Sequence, residues 1–299
     1  MIRMSAPAKV NLFLKILARE ESGYHQLETL FQALALEDRV LIGPGEGDVS
    51  LTLDGPRLGP PEENLAFKAA KAFKNAAGLT DGIQIHLEKR IPVAAGLGGG
   101  SSDAAAVLQG LNVLFPHRLT EKELLALAGE LGADVPFFLS PTPLALAWGR
   151  GHRLLPLPPL PKRVVLVAAP PLGVSTAEAY GMLARNRVGQ EDGGIPVAHD
   201  LGAVSTWEGV ARLAENDFQT VLFPLHPVLG MLREAMEAAG AGIALLSGSG
   251  SSLFGVFEKE DSARGAKGSL ERSFPDTRFF LTHTLESAPK PTFSPGVES

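Results

Sequence analysis

The stretch Pro92-Val93-Ala94-Ala95-Gly96-Leu97-Gly98-Gly99-Gly100-Ser101-Ser102-Asp103 restricts the fold more than any other part of this 299-residue chain. It lies between a strictly alternating run, Ile83 to Lys89, that reads as a half-buried β-strand, and an apolar run, Ala104 to Phe115, that reads as a helix buried on a wide face. Four glycines within residues 96–100 let the backbone reach positive φ and turn its N–H groups inward as an anion-binding nest. Ser101 and Ser102 add hydroxyls where the next helix presents unpaired amides and the positive end of its dipole. A strand, glycine loop and helix in direct succession imply α/β architecture and a seat for a polyphosphate. A flexible linker would be set off by polar spacers, and none are present.

The common phosphate patterns do not fit. The chain has no Gly-Lys pair, which excludes a P-loop, and the G-x-G-x-x-G pattern begun at Gly96 and Gly98 ends on Ser101. The His-Arg-Asp and Asp-Phe-Gly signatures of protein kinases are also missing. A net charge of −6 and a pI near 5.7 argue against a nucleic-acid surface built on bulk positive charge, so an anionic ligand must be held by local donors. The absence of cysteine excludes disulfides, thiolate metal sites and cysteine nucleophiles. Arg3, Pro7, Lys9, Asn11 and Lys15 interrupt any leader-like apolar stretch, and no later run is long enough to span a membrane, which points to the cytoplasm.

Along the chain, Ser5 to Ile16 reads as a strand with Val10, Leu12, Leu14 and Ile16 on one face and Lys9, Asn11, Phe13 and Lys15 on the other. Gly23-Tyr24-His25 reads as a turn whose ring and imidazole suit a planar, partly polar ligand as well as plain packing. Val40 to Leu53 reads as a hairpin broken at 43–48, followed by a helix capped by Asn64 and stopped at Gly78. Thr120 and Glu123 form a capping box for a helix closed by Gly132. Asp134 follows as a lone carboxylate among apolar residues, either a cap for the next turn or an acid/base group. The proline-rich stretch 154–161 marks a domain boundary, giving domains 1–153 and 162–299. Beyond it come a buried strand at Val164 to Ala169, a helix capped at Ser175 that carries Tyr180, and a polar, glycine-rich mobile loop at 185–199. The helix from Pro227 bears a core stripe of Val228, Leu229, Met231, Leu232, Ala235 and Met236. Ser247-Gly248-Ser249-Gly250-Ser251 between two apolar runs fits a hairpin turn or a second phosphate contact, and a helix, a strand and a frayed Pro/Ser tail close the chain.

Pro92-x-x-x-Gly96-Leu97-Gly98-Gly99-Gly100-Ser101-Ser102 resembles the phosphate loop of the GHMP small-molecule kinases. Ser5 to Leu12, Ser22-Gly23-Tyr24-His25 through Phe31, and Gly132-Ala133-Asp134-Val135-Pro136-Phe137-Phe138 resemble one branch of them, the 4-diphosphocytidyl-2-C-methyl-D-erythritol kinases. Val174 to Tyr180 and Asn216-Asp217-Phe218 are similar to further elements of that branch, although the chemistry of the latter is not legible from spacing. Ser247 departs mildly from the usual threonine while keeping the hydroxyl.

The resemblance implies a two-domain α/β (α+β) fold, with an N-terminal half like ribosomal protein S5 domain 2 and a ferredoxin-like C-terminal half. It implies an ATP-dependent kinase of the non-mevalonate isoprenoid pathway that phosphorylates the 2-hydroxyl of its cytidine substrate. It assigns ATP to residues 92–102, that is Pro92, Val93, Ala94, Ala95, Gly96, Leu97, Gly98, Gly99, Gly100, Ser101 and Ser102, together with Ser247, Gly248, Ser249 and Gly250. Asp134 would be the base and Lys9 its electrostatic partner. Asn11, Tyr24, His25, Thr176 and Tyr180 would hold the substrate, Tyr180 being as well suited to plain helix packing. Mg²⁺ is implied with ATP, with no protein ligand legible. The expected partner is this small molecule, without nucleic acid or membrane, in a monomer or weak homodimer. Two other readings use the same residues: a GHMP kinase for homoserine or a mevalonate derivative, and a GHMP-fold protein that binds nucleotide without catalysis. The presence of both Lys9 and Asp134 speaks against the latter.

Overall fold

The computed structural model describes residues 1–19, 25–56, 58–115, 118–186 and 201–293. Tyr24, the loop beyond residue 186 and the Pro/Ser tail from 294 lie outside the described residues. The first sheet is built on two long antiparallel strands, β1 (Ile2–Arg19) and β2 (His25–Gly45), paired from Ile2 opposite Ile42 to Arg19 opposite His25. β3 (Val49–Asp54) does not fold back on β2. It pairs in parallel with β4 (Gly82–Glu88), which lies between them, so the expected hairpin is replaced by a crossover through α1 (Leu65–Ala76). The apolar face of α1, with Ala66, Ala69, Ala70 and Phe73 buried, needs the sheet beneath it, and a tight turn would leave it no cover. The glycine segment leads into α2 (Gly99–Leu114), then α3 (Glu121–Leu131) with the expected capping box, and α4 (Val135–Phe138). Two further strands, β5 (Leu144–Gly149) and β6 (Arg153–Pro156), extend the sheet from β2.

The second sheet contains β7 (Val164–Ala169), β8 (Ile243–Leu246), β9 (Leu253–Phe257) and β10 (Arg278–His283) in the antiparallel order β10-β7-β9-β8 expected of a ferredoxin-like half. Between β7 and β8 lie α5 (Thr176–Asn186), α6 (Trp207–Leu213), α7 (Gln219–Leu225) and α8 (Pro227–Ala238), and α9 (Glu260–Ser273) joins β9 to β10. A last strand, β11 (Thr292–Phe293), returns to the first sheet beside Ile2 and Arg3. β7 is apolar throughout because both of its faces are covered: Val164, Leu166 and Ala168 pack under helices, while Val165 and Val167 meet the first sheet. Met231, which the sequence placed in the core stripe of α8, is exposed, whereas Leu229, Leu232 and Met236 are buried. No helix among the described residues is long and apolar enough to cross a membrane.

Register shifts in β1 change the alternation expected for it. One falls between Asn11 and Phe13, so Phe13 joins Val10 and Leu12 in the core between the sheets, while Leu14 and Ile16 pass into the core under the second sheet's helices. The face assigned to Lys9, Asn11, Phe13 and Lys15 is therefore not one solvated face: Lys9, Asn11 and Phe13 are buried. Past the bulge, Leu14 N–H donates to Glu215 O at 2.8 Å, and Asp217 N–H donates to Leu14 O at 3.1 Å. Buried Asn216, between them, donates to Leu246 O and Gly248 O, both at 2.8 Å, and accepts from Phe218 N–H at 3.0 Å. This gives the Asn-Asp-Phe element a role: it clamps β1 to the Ser-Gly turn. Replacing Asn216 with Ala leaves two carbonyls and an amide without their partner and should cost about 3 kcal/mol of stability. Urea denaturation measures it, and a loss below about 0.5 kcal/mol would contradict the clamp.

Candidate active site

The glycine segment is shaped by what lies behind it. Gly96 and Gly98 adopt positive φ, 76° and 71°. A Cβ at Gly96 would stand 2.0 Å from Ser247 O, and one at Gly98 would stand 2.9 Å from Lys9 Cγ, so neither position tolerates a side chain. Ala95 and Leu97 turn their side chains into the core, while the carbonyls of residues 95, 96 and 97 accept from Ser252 N–H, Ser247 Oγ–H and Lys9 N–H. Gly98 is the left-handed cap of α2, which starts at Gly99, five residues before the expected Ala104. The amides of the first turn thus open at the end of a 16-residue helix with no capping side chain and no acidic residue in that turn. Ser247-Gly248-Ser249-Gly250 is at once the turn joining β8 to β9 and the wall against which this segment packs.

Beside it runs a chain of fixed donors. Lys9 Nζ donates to Asn11 Oδ1 at 2.8 Å, Asn11 Nδ2 to Thr29 Oγ1 at 2.8 Å, and Thr29 Oγ1–H to Phe13 O at 2.6 Å. Because the Thr29 hydroxyl donates to a carbonyl, it must accept from the Asn11 amide, which turns Oδ1 toward Lys9. The remaining partner of the ammonium is Asp134 Oδ2 at 3.4 Å, with the Phe31 ring 5.2 Å away. The Lys9 side chain is 5% exposed and that of Asp134 33%, so the carboxylate is the open member of the pair. Asp134 stands at the start of α4 yet makes no capping hydrogen bond, which removes the cap reading. Phe137, packed on Phe31 at 4.9 Å, fixes the turn that carries it.

These groups share one cleft of ≈ 1380 Å³. Gly96, Gly98, Gly248 and Ser249 line one side, Lys9, Asn11 and Asp134 the middle, and His25, Tyr180 and Phe218 the far end, with Arg150 and Arg185 on its wall. His25 and Tyr180, 155 positions apart in sequence, stack at 4.8 Å and 26°, and Phe218 meets Tyr180 edge-on at 4.9 Å. Burial, assisted by the charge of Asp134, pushes the Tyr180 hydroxyl well above its ordinary value, so it stays neutral. Thr176, at the head of α5, bonds Ser249 at 3.0 Å. The other expected nucleotide residues lie off the cleft lining: Val93 and Ala94 are exposed, and Ser102 is buried under the loop. Sequence reasoning missed Thr29 and Phe31, which look like ordinary strand residues, and a buried trio of Asp38, Lys89 and Asp103. Asp103, the lone charge in an apolar helix, was the available signal for the trio.

Comparisons with known proteins show the family. Residues 64–141 match the GHMP kinases N terminal domain and residues 199–276 the GHMP kinases C terminal domain. The chain is therefore a GHMP kinase, an ATP-dependent small-molecule phosphotransferase. It is 39% identical over 286 residues to a 4-diphosphocytidyl-2-C-methyl-D-erythritol kinase of Synechococcus sp., covering 93% of this chain and 92% of that one. It is 41% identical over 266 residues to one of Syntrophotalea carbinolica, covering 89% and 92%. A crystal structure of 4-(cytidine 5'-diphospho)-2C-methyl-D-erythritol kinase superposes with a TM-score of 0.78 at 42% identity, over 94% of this chain and 98% of that one. The chain belongs to the 4-diphosphocytidyl-2-C-methyl-D-erythritol kinase family. Homoserine kinase from Cytophaga hutchinsonii, with a TM-score of 0.71 at 21% identity over 97% of each chain, shares the fold.

Gly96→Ala forces the glycine segment off Ser247 while leaving α2 intact. The KM for ATP should rise by more than about tenfold, equivalent to about 1.4 kcal/mol, with near-native circular dichroism. An unchanged KM would show that the segment does not seat the nucleotide.

Proposed function

We propose that this chain is a cytoplasmic enzyme, a monomer or weak homodimer, that transfers the γ-phosphoryl group of ATP to the 2-hydroxyl of 4-diphosphocytidyl-2-C-methyl-D-erythritol, an isoprenoid precursor. The observation that carries the reading is the placement of the Lys9–Asp134 pair in one cleft, between the glycine segment and the His25–Tyr180 stack. The amides at the start of α2 and of residues 97–98 hold the triphosphate by the charge and direction of their dipoles. Asp134, open to the cleft and free of any capping bond, accepts the proton of the 2-hydroxyl as its oxygen attacks the γ-phosphorus. The bond from that phosphorus to the β–γ bridging oxygen breaks, and ADP leaves. Lys9, aimed by Asn11, balances the charge on Asp134 and on the incoming oxygen.

The cytosine ring is held at the far end, where His25 supplies ring nitrogens and Tyr180, backed by Phe218, a flat apolar face. Tyr24 adjoins this end in sequence, and Thr176 borders it through α5. No group of three or more His, Asp or Glu among the described residues could hold a metal ion. Magnesium, implied with ATP, would neutralise charge on the phosphate oxygens when bound.

Asp134→Asn should lower kcat by about 10³-fold with little change in the KM for either substrate, because the amide keeps its shape but cannot take the proton. Steady-state assays with MgATP measure this, and full turnover would remove Asp134 as base. Tyr180→Ala should raise the KM for the cytidine substrate about tenfold and leave that for ATP unaltered. Labelled ATP offered with 4-diphosphocytidyl-methylerythritol, homoserine, mevalonate and phosphomevalonate tests the substrate: transfer to any but the first would overturn the cytidine reading.

A further inference from the structure

Three buried charges beneath the glycine segment take no part in the transfer described above. Lys89, following β4, donates to Asp38 Oδ2 and, at 2.7 Å, to Asp103 Oδ2. Asp38 Oδ1 accepts the N–H groups of Arg90 at 2.5 Å and Ile91 at 2.9 Å, the residues that lead into Pro92. Asp103 lies in the second turn of α2, just past the segment. A Cβ at Gly99 would stand 3.2 Å from Lys89 Nζ and 3.3 Å from Asp38 Oδ2, so the head of α2 rests on the ion cluster. The backbone before and after residues 92–98 is thus tied to one ammonium. We propose that Asp38, Lys89 and Asp103 are positioning residues for the triphosphate, fixing both ends of the glycine segment and setting its attraction for the nucleotide through the net charge they carry together. This rests on the ATP reading above.

Two carboxylates and one ammonium leave a charge of −1 when all are ionised, which is costly in a buried site and repels a triphosphate above it. One proton removes it. Both Asp38 oxygens have partners, Oδ1 in two backbone amides and Oδ2 in Lys89, whereas Asp103 Oδ1 has no hydrogen-bond partner among the described residues. Burial pushes the Asp103 carboxyl up to about 7, with Lys89 pulling it back and Asp38 adding to the rise. The charged groups facing it are Lys89 from the end of β4 and Asp38 from β2. α1, β1, α3 and α4 bring the apolar side chains of Ala66, Met4, Ala128 and Val135 to the same core, and β1 also brings Lys9 against Gly98. Below about 7 the trio is neutral; above it, an uncompensated carboxylate stands under the amides. MgATP therefore binds the protonated trio more tightly and loosens as pH rises through this range. The folded chain also keeps a proton that the unfolded chain, with its ordinary carboxyl at 3.8, has released, so stability falls as pH rises from 3.8 to about 7.

Calorimetric binding of MgATP from about pH 6 to about pH 8.5 tests the proposal in wild type, Asp103→Asn and Lys89→Met. The wild-type Kd should rise about fivefold or more, while Asp103→Asn, a fixed neutral isostere, should hold one Kd to within about twofold. Lys89→Met should weaken MgATP at least about tenfold at each pH, with the alcohol substrate changed less than about twofold. Equal pH slopes in wild type and Asp103→Asn would overturn the charge linkage even if Lys89→Met fails to fold. Unaltered affinity in a folded Lys89→Met would overturn the positioning role. Wild type that binds no MgATP at any pH would instead overturn the ATP reading.

Discussion

The burial of the Lys9 ammonium organises the centre of this molecule. A cation so far from water must find its own compensation, and here it comes from the Asn11 amide, the Phe31 ring and the Asp134 carboxylate. Each of these imposes a further condition. Asn11 needs Thr29 to fix its orientation, Phe31 needs Phe137 against it, and Asp134 must stand at the start of a helix without capping it. Removing the lysine would leave these constraints without a purpose. Their convergence on one nitrogen from β1, β2 and α4 is what makes the middle of the cleft a chemical site rather than a gap.

The two ends of the cleft are held by different physics. At the glycine end the available donors are backbone amides, and their direction is set by close packing of Gly96 on Ser247 and of Gly98 on Lys9. At the other end side chains line the cleft, with one ring from the start of β2 stacked on one from the first helix after β7. The Asn216 segment ties β1 to the Ser-Gly turn: its backbone neighbours Glu215 and Asp217 bond Leu14, and its side-chain amide bonds Leu246 O and Gly248 O.

Much of this was legible in sequence because the features concerned are local. The glycines next to a strand, the Thr120 capping box, the Asn64 cap and the continuous apolar run of β7 all act over a few residues and were found where expected. What could not be read depends on partners far along the chain. The parallel pairing of β3 with β4 depends on where α1 needs cover, and no alternation in Val49 to Leu53 encodes that. The bulge in β1 moves Phe13 to another core without any glycine or proline to announce it. Asp134 could be a cap or a base from its neighbours alone, and only the fold shows that it caps nothing and stands beside Lys9. Asp38 and Lys89 look like ordinary surface charges beside polar residues, and only the fold puts them under Gly99.

The passage of β1 from one core to another also governs how the cleft can move. Val10 and Leu12 belong to the layer between the sheets, and Leu14 and Ile16 to the layer beyond the second sheet, so a single continuous strand is packed into both halves. Rotating one sheet against the other would shear that strand out of one of its cores, and would break its bonds to Glu215 and Asp217 as well. A hinge of the usual kind has nowhere to sit. The wall that carries Lys9 and Asp134 and the wall formed by α5 and the Ser-Gly turn are therefore held at one spacing by a strand common to both halves.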